Sequence, residues 1–124
     1  MSQFLNTFVE DLKTNVSGFI AVAVTEIKTG MSYTSLTVDP NFDPELASAC
    51  NLEVVKAKMN VIKLLGLNQT IEDIMITLST QIHIISLSAN GEYFTYLAVD
   101  SSKANLGMTR SLLKKYSKEI EAQM

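Results

Sequence analysis

Apolar and polar positions alternate along the chain with two different periods. Between Phe4 and Leu12 the apolar residues repeat at helical spacing, which predicts a short amphipathic helix over the first 15 residues. The stretch 19–27 is almost entirely apolar and rich in β-branched residues, as expected for a strand buried on both faces. A turn at 28–30 leads into the more polar segment 32–38, and the pattern predicts an edge strand paired with the first.

A long helix is predicted from Pro44 to Leu65. Asp43 can accept hydrogen bonds from the free amides of the first turn, and Pro44 fits that turn because no helical partner awaits its missing N–H. Gly66 follows the last apolar position and is suited to end the helix in the left-handed conformation.

Three further strands and a final helix complete the pattern. The segment 71–78 alternates, with Asp73, Met75 and Thr77 on its more polar side, and predicts a half-buried strand. The segments 82–88 and 93–100 predict a hairpin across Asn90-Gly91. Apolar positions from Leu106 to Ile120 predict an amphipathic helix. The order αββαβββα predicts an α+β sandwich with a five-stranded antiparallel sheet flanked by helices.

Length and charge narrow the class of protein. The 124 residues fit one domain spanning 1–124, and the net charge of −3 argues against a nucleic-acid partner. We interpret the basic cluster Lys114, Lys115 and Lys118 as a solvated helix face. No window approaches the roughly 18 apolar residues of a membrane span, so no membrane insertion is expected. One cysteine, Cys50, fits a reducing compartment and predicts a cytoplasmic protein.

The sequence offers no recognisable catalytic, cofactor or metal site. Cys50 lies in an apolar run, where a free cysteine usually acts as a small buried hydrophobe. His83, the only histidine, lies in an apolar strand and is interpreted as a half-buried sheet residue rather than a metal ligand. The glycines are scattered at turns and form no phosphate-binding loop. We therefore expect a protein without an enzymatic activity of its own.

The long helix carries two apolar stripes. At about 100° per residue one stripe comprises Leu46, Cys50, Val54, Ala57, Val61 and Leu64. The other lies about 150° away and comprises Leu52, Val55, Met59 and Ile62. A helix on a sheet needs only one apolar face, so another element or a second molecule has to cover the other.

The second stripe can be covered in two ways that the pattern alone leaves open. The terminal helices of the same chain are one cover, and the same helix of a second subunit across a twofold axis is the other. We adopt the twofold pairing as the prediction, with Leu52, Val55, Met59 and Ile62 as the seam. On this hypothesis Met59→Glu separates a dimer into folded monomers.

Several segments resemble the roadblock/LC7 family, from Gly18 to the last helix. The resemblance rests on Gly18 to Val24 followed by the Gly30 turn, on Asp43 with Glu45-Leu46-Ala47, and on Leu106 to Arg110. It implies a profilin-like sandwich and a small dimeric scaffold, in which long helices pack together and edge strands join two sheets into one. The strand 71–78 would be that edge, which adds Ile71, Asp73, Met75 and Thr77 to the expected dimer interface.

The resemblance also implies a type of partner. Family members serve as regulators or platforms for Ras-like small GTPases, including bacterial polarity and motility GTPases, and others are dynein light chains. The leading hypothesis is a homodimeric adaptor that recognises a Ras-like small GTPase. One alternative is a small-molecule sensor whose pocket would be lined by Phe19, Phe94 and Tyr96. The other is a structural subunit of a larger complex.

Overall fold

The fold is known from a computed structural model that describes residues 2–123. Three helices and five strands follow one another in the predicted order. They are α1 (Ser2–Asn15), β1 (Phe19–Glu26), β2 (Ser32–Thr37), α2 (Pro44–Leu64), β3 (Asp73–Thr77), β4 (Gln81–Leu87), β5 (Tyr93–Asp100) and α3 (Leu106–Gln123). The predicted α+β class and the element order αββαβββα are confirmed.

All five strands form one antiparallel sheet in the order β2-β1-β5-β4-β3. The predicted interior position of β1 and edge position of β2 are confirmed. The other edge is β3, and the centre is β5, whose residues are buried from Tyr93 to Val99. A strand can be apolar on both faces only when helices cover both faces of the sheet, and that is the arrangement here.

The helices lie in two layers. α1 packs over β1 and β2 while α3 packs over β4 and β5 on the same face, and α2 lies on the opposite face over β1 and β2. Alternation along β5 divides its side chains between the layers: Leu97 and Val99 join the core under α1 and α3, while Phe94 and Tyr96 join the core under α2. Among residues 2–123, no helix is long and apolar enough to cross a bilayer.

Both predicted ends of α2 are confirmed by their hydrogen bonds. Asp43 Oδ1 accepts from the backbone N–H groups of Glu45 at 3.1 Å and Leu46 at 3.2 Å. Gly66 has φ +68°. Its N–H donates to the carbonyl of Lys63, and that of Leu67 donates to the carbonyl of Ile62. These two bonds close the helix as a Schellman motif, which fixes where the chain leaves towards β3.

Gly18 sets the start of β1 and provides a test of the fold. Its φ is +76°, and an added Cβ would lie 3.0 Å from the carbonyl oxygen of Asp100 and 3.1 Å from Cβ of Lys103. A residue with a Cβ loses about 1–2 kcal/mol in the left-handed conformation alone. Gly18→Ala should therefore lower the free energy of unfolding by more than this amount. Gly66→Ala is the matched control, because its φ is +68° and nothing lies within 4 Å of the added Cβ. Equal losses in urea denaturation would contradict this steric account.

Candidate interaction surface

The two stripes of α2 take roles opposite to those predicted. Leu52 is 6% exposed and Val55 is 0% exposed, and both belong to the core between α2 and the sheet. Met59 packs against the same core, and Ile62 is half-buried. Three of the four residues predicted as the seam on α2, Leu52, Val55 and Met59, thus pack into the core of their own chain. Met59→Glu would disturb this core and is no clean test of association.

A hydroxyl pair explains why this face of α2 lies on the sheet. Ser48 is fully buried in the middle of the inner face, and its Oγ lies 2.6 Å from Oγ1 of Thr25 on β1. Thr25 Oγ1 also lies 3.1 Å from Oγ of Ser32 on β2. An apolar count overlooks Ser48, although its helical angle, about 200° from Leu46, falls within the Leu52 stripe. A small residue at that angle was the available signal.

The other stripe, here called the outer stripe, comprises Leu46, Cys50, Val54, Ala57, Val61 and Leu64. Leu46 and Leu64 are 62% and 77% exposed, and Val54 and Val61 are each 40% exposed. Cys50 is exposed as well, so the expectation of a buried cysteine is wrong. The stripe covers about 27 Å of helix at 1.5 Å per residue. It is a continuous apolar surface of the kind that marks an interaction site.

The edge strand β3 offers backbone groups rather than side chains. The N–H of Leu78 donates to the carbonyl of Gln81 at 2.8 Å, and the N–H of Leu87 donates to the carbonyl of Glu72 at 3.0 Å. In an antiparallel ladder every second residue bonds inward, so the intervening residues point N–H and C=O groups away from β4. Those residues are Asp73, Met75 and Thr77, which are three of the predicted interface positions.

The eight predicted interface residues are thus divided between two places. Leu52, Val55, Met59 and Ile71 meet in the core under α2, while Ile62 lies at its margin. Asp73, Met75 and Thr77 stand at the open edge of the sheet, where Met75 is 36% exposed and Thr77 is exposed. β3 is an edge strand, whereas Leu52 and Val55 are buried against the sheet of their own chain. The interface with a second copy stays a prediction.

His83 is held in a hydrogen-bonded chain on the α2 side of the sheet. Its Nε2 lies 2.8 Å from Oε1 of Gln81, and its Nδ1 lies 3.0 Å from the hydroxyl of Tyr96. This matches the neutral tautomer, with Nε2–H donating to Gln81 and Tyr96 donating to Nδ1. Within residues 2–123, no three residues of the types that bind metals come together.

The predicted sensor pocket is not formed by its three aromatic residues. Phe94 and Tyr96 are 1% and 0% exposed within the core under α2, whereas Phe19 packs against the core on the opposite face of the sheet. A sheet layer separates them, so they cannot line one cavity. The bulge between Phe19 and Ala21 shifts the alternation at the start of β1.

With this topology the chain has a roadblock/LC7-type fold. No protein-family model and no curated protein matches it. Among solved structures it is similar to MglB of Myxococcus xanthus, with 18% identity, 96% of this chain and 86% of that chain covered, and a TM-score of 0.83. It is also similar to a roadblock/LC7 domain from Streptomyces avermitilis, with 9% identity, 94% of each chain covered and a TM-score of 0.81. For the gliding protein MglB from Thermus thermophilus the identity is 15%, the coverage is 94% of this chain and 85% of that chain, and the TM-score is 0.79.

The half-buried imidazole of His83 makes a pH dependence of stability testable. Burial lowers the pKa of His83, so the folded state binds a proton less readily than the unfolded chain. Neutral His83 therefore stabilises the fold fully at a pH above the pKa of about 6.5 that it has in the unfolded chain. This stabilisation is lost as the pH falls from that value towards the lower pKa of the folded state. We expect His83→Gln, which stays neutral, to flatten the fall in Tm between about pH 7.5 and 5.5. Parallel Tm curves for both proteins would contradict this.

Proposed function

We propose that the chain is a non-enzymatic, cytoplasmic protein-interaction module that forms a homodimer and regulates or scaffolds a Ras-like small GTPase. The observation that carries the proposal is the exposed outer stripe of α2 on a roadblock/LC7-type fold. The dimer is proposed as before, but its contact surface on α2 is now the outer stripe in place of Leu52, Val55, Met59 and Ile62.

The outer stripe provides apolar surface whose burial would favour association. Leu46, Val54, Val61 and Leu64 are exposed, and burying each would contribute up to about 1.5–3 kcal/mol. Association itself costs about 4–15 kcal/mol in lost motion, so a second contact region is needed for a stable pair. Two helices crossing at a twofold axis would cover both outer stripes with the same residues.

The edge of β3 supplies that second region in the proposal. Its outward backbone groups belong to Asp73, Met75 and Thr77, a set that is symmetric about Met75. Two copies paired antiparallel about Met75 would place Asp73 opposite Thr77 and bond the exposed N–H and C=O groups of both strands. Pairing of this kind also removes an open edge that would otherwise invite aggregation.

The GTPase partner rests on the family resemblance and on the fold. One of the similar structures is described as a gliding protein, and bacterial motility GTPases are among the partners that the resemblance implies. The Ser48 and Thr25 hydroxyls, the His83 imidazole and the Asp43 carboxylate all form hydrogen bonds within the fold. An effect on a GTPase would therefore come from binding and positioning rather than from a catalytic group of this chain.

Association through the outer stripe can be tested at Val54. We expect Val54→Glu to convert a dimer into folded monomers, because a carboxylate would be buried in the seam without a partner. Light scattering after size exclusion measures the mass. Cys50 gives a second readout, since its thiol lies on the same stripe and is the only one in the chain. It should react with a thiol reagent more slowly in the dimer than in Val54→Glu.

Ala49→Glu is the matched control, because Ala49 is exposed on α2 and lies outside the stripe. It adds the same charge and should leave the dimer intact.

Thr77→Pro tests the strand region. It removes an outward N–H while sparing the ladder to β4, and it should weaken the dimer. A dimer of unchanged affinity in Val54→Glu would place the seam elsewhere.

The partner can be identified by affinity capture from lysate of the source cells, with the lysate loaded with GDP or with a non-hydrolysable GTP analogue. Mass spectrometry should identify a Ras-like GTPase enriched under one of the two nucleotides. Val54→Glu should recover less of it if the GTPase contacts both subunits. Recovery of no GTPase under either nucleotide would contradict the proposal, and a stable partner of another class would favour a structural subunit.

A further inference from the structure

An open cleft of about 440 Å³ lies on the face of the sheet opposite α2. The cleft forms because α3 covers β4 and β5, whereas β3 lies next to β4 at the edge of the sheet, beyond the helix. One wall is a single face of α3, and the other is formed by the segment entering β3 together with the end of β4. Its volume is in the range of sites that bind ligands or side chains of a partner.

The α3 wall of the cleft is basic. Arg110, Lys114 and Lys118 succeed one another at intervals of four residues, so their side chains share one helix face, and all three line the cleft. At the floor, the buried hydroxyls of Ser86 and Ser117 lie 2.9 Å apart. The site therefore presents cations at its mouth and hydroxyl groups deeper down.

Two carboxylates on the opposite wall position Arg110 and Lys114 over the cleft and leave both side chains able to bind a ligand. Arg110 donates to Asp73 from Nε at 2.7 Å and from Nη2 at 3.1 Å. Lys114 Nζ lies 4.0 Å from Glu72. The Arg110 and Lys114 side chains remain 51% and 68% exposed. A guanidinium has five N–H donors, and within residues 2–123 Asp73 engages two of them, so others can bond a ligand.

Charge is segregated towards this helix along the whole chain. α3 holds four of the ten basic residues, all between 110 and 118, and the two acidic residues Glu119 and Glu121, so the helix contributes +2. The chain has a net charge of −3, and the rest of it therefore sums to −5. Within residues 2–123, Lys118 has no carboxylate within 4.0 Å. An approaching anion is attracted to α3 and repelled by the remainder of the surface.

We propose that the cleft between α3 and β3 binds an acidic peptide segment of a partner protein, with Lys114, Lys118 and the remaining N–H groups of Arg110 gripping its carboxylates. This surface is separate from the outer stripe, which lies on the other face of the sheet. Peptide binding does not require the proposed dimer, although Asp73 belongs both to the cleft and to the β3 edge.

A peptide fits the cleft better than a nucleic acid or a membrane. The cations lie in a concavity, and a nucleic-acid backbone would carry its continuous run of phosphates beyond the cleft onto the surface of a chain whose net charge is −3. A lipid surface is flat and would reach only the rim. Alternate side chains of an extended peptide lie about 7 Å apart on one side. Lys114 and Lys118 are separated by about 6 Å along α3, so two carboxylates of one segment can meet both cations.

The test is a titration of the full chain with a capped hexapeptide of Glu and Asp around one central Leu, followed by ¹⁵N NMR and calorimetry. Amide shifts are expected at Gly107, Ser111 and Lys118, with weaker binding at higher salt. Lys114→Gln combined with Lys118→Gln should lower the affinity at least about tenfold, because two charge-assisted contacts are lost. The dimer mass of this variant should be unchanged.

The matched control combines Lys103→Gln with Lys115→Gln, which changes the net charge equally at positions that do not line the cleft. It should alter the affinity less than about twofold if the contacts are local. Equal loss in both double variants, shifts outside the cleft, or equal binding of the Gln and Asn version of the peptide would overturn the proposal. So would tighter binding of an oligonucleotide of the same charge, or no shift at about 1 mM peptide.

Discussion

The contact between α2 and the sheet determines which surfaces the molecule keeps for others. Ser48 and Thr25 share a hydrogen bond at a position with no exposure to water, and losing one partner of such a buried pair costs about 1–3 kcal/mol. Leu52 and Val55 pack on the same side of the helix. This combination fixes the rotation of α2 about its axis, and that rotation leaves the outer stripe in solvent.

The two-layer cover of the sheet follows from the strands themselves. β1 and β5 are apolar at nearly every position, so both of their faces must be protected from water, and one helix layer cannot do this. With α1 and α3 on one face, only α2 remains for the other, and it lies over β1 and β2. The edge strand β3 is left at the margin of both layers, which explains its open backbone groups and the adjoining cleft.

Much of this fold was predictable because its signals are local. Asp43-Pro44 and Gly66 mark the ends of α2, and the near-continuous apolar run of β1 marks an interior strand. The rotation of α2 was not predictable from apolar spacing, since both stripes satisfy the same rule and the decisive residue, Ser48, is polar. The cleft was missed for a related reason: Arg110 and Asp73 are 37 residues apart and meet only after the strand order is set.

The ion pairs across the cleft also connect two surfaces that would otherwise be independent. Asp73 offers its backbone groups to the open edge of β3, while its side chain binds Arg110 of α3. An exposed ion pair of this kind adds little stability, and so a competing carboxylate can displace Asp73 at low cost. A ligand that takes Arg110 would release the Asp73 side chain at the strand edge. The position of one side chain therefore links the face that would bind a partner peptide to the edge that would bind a second copy.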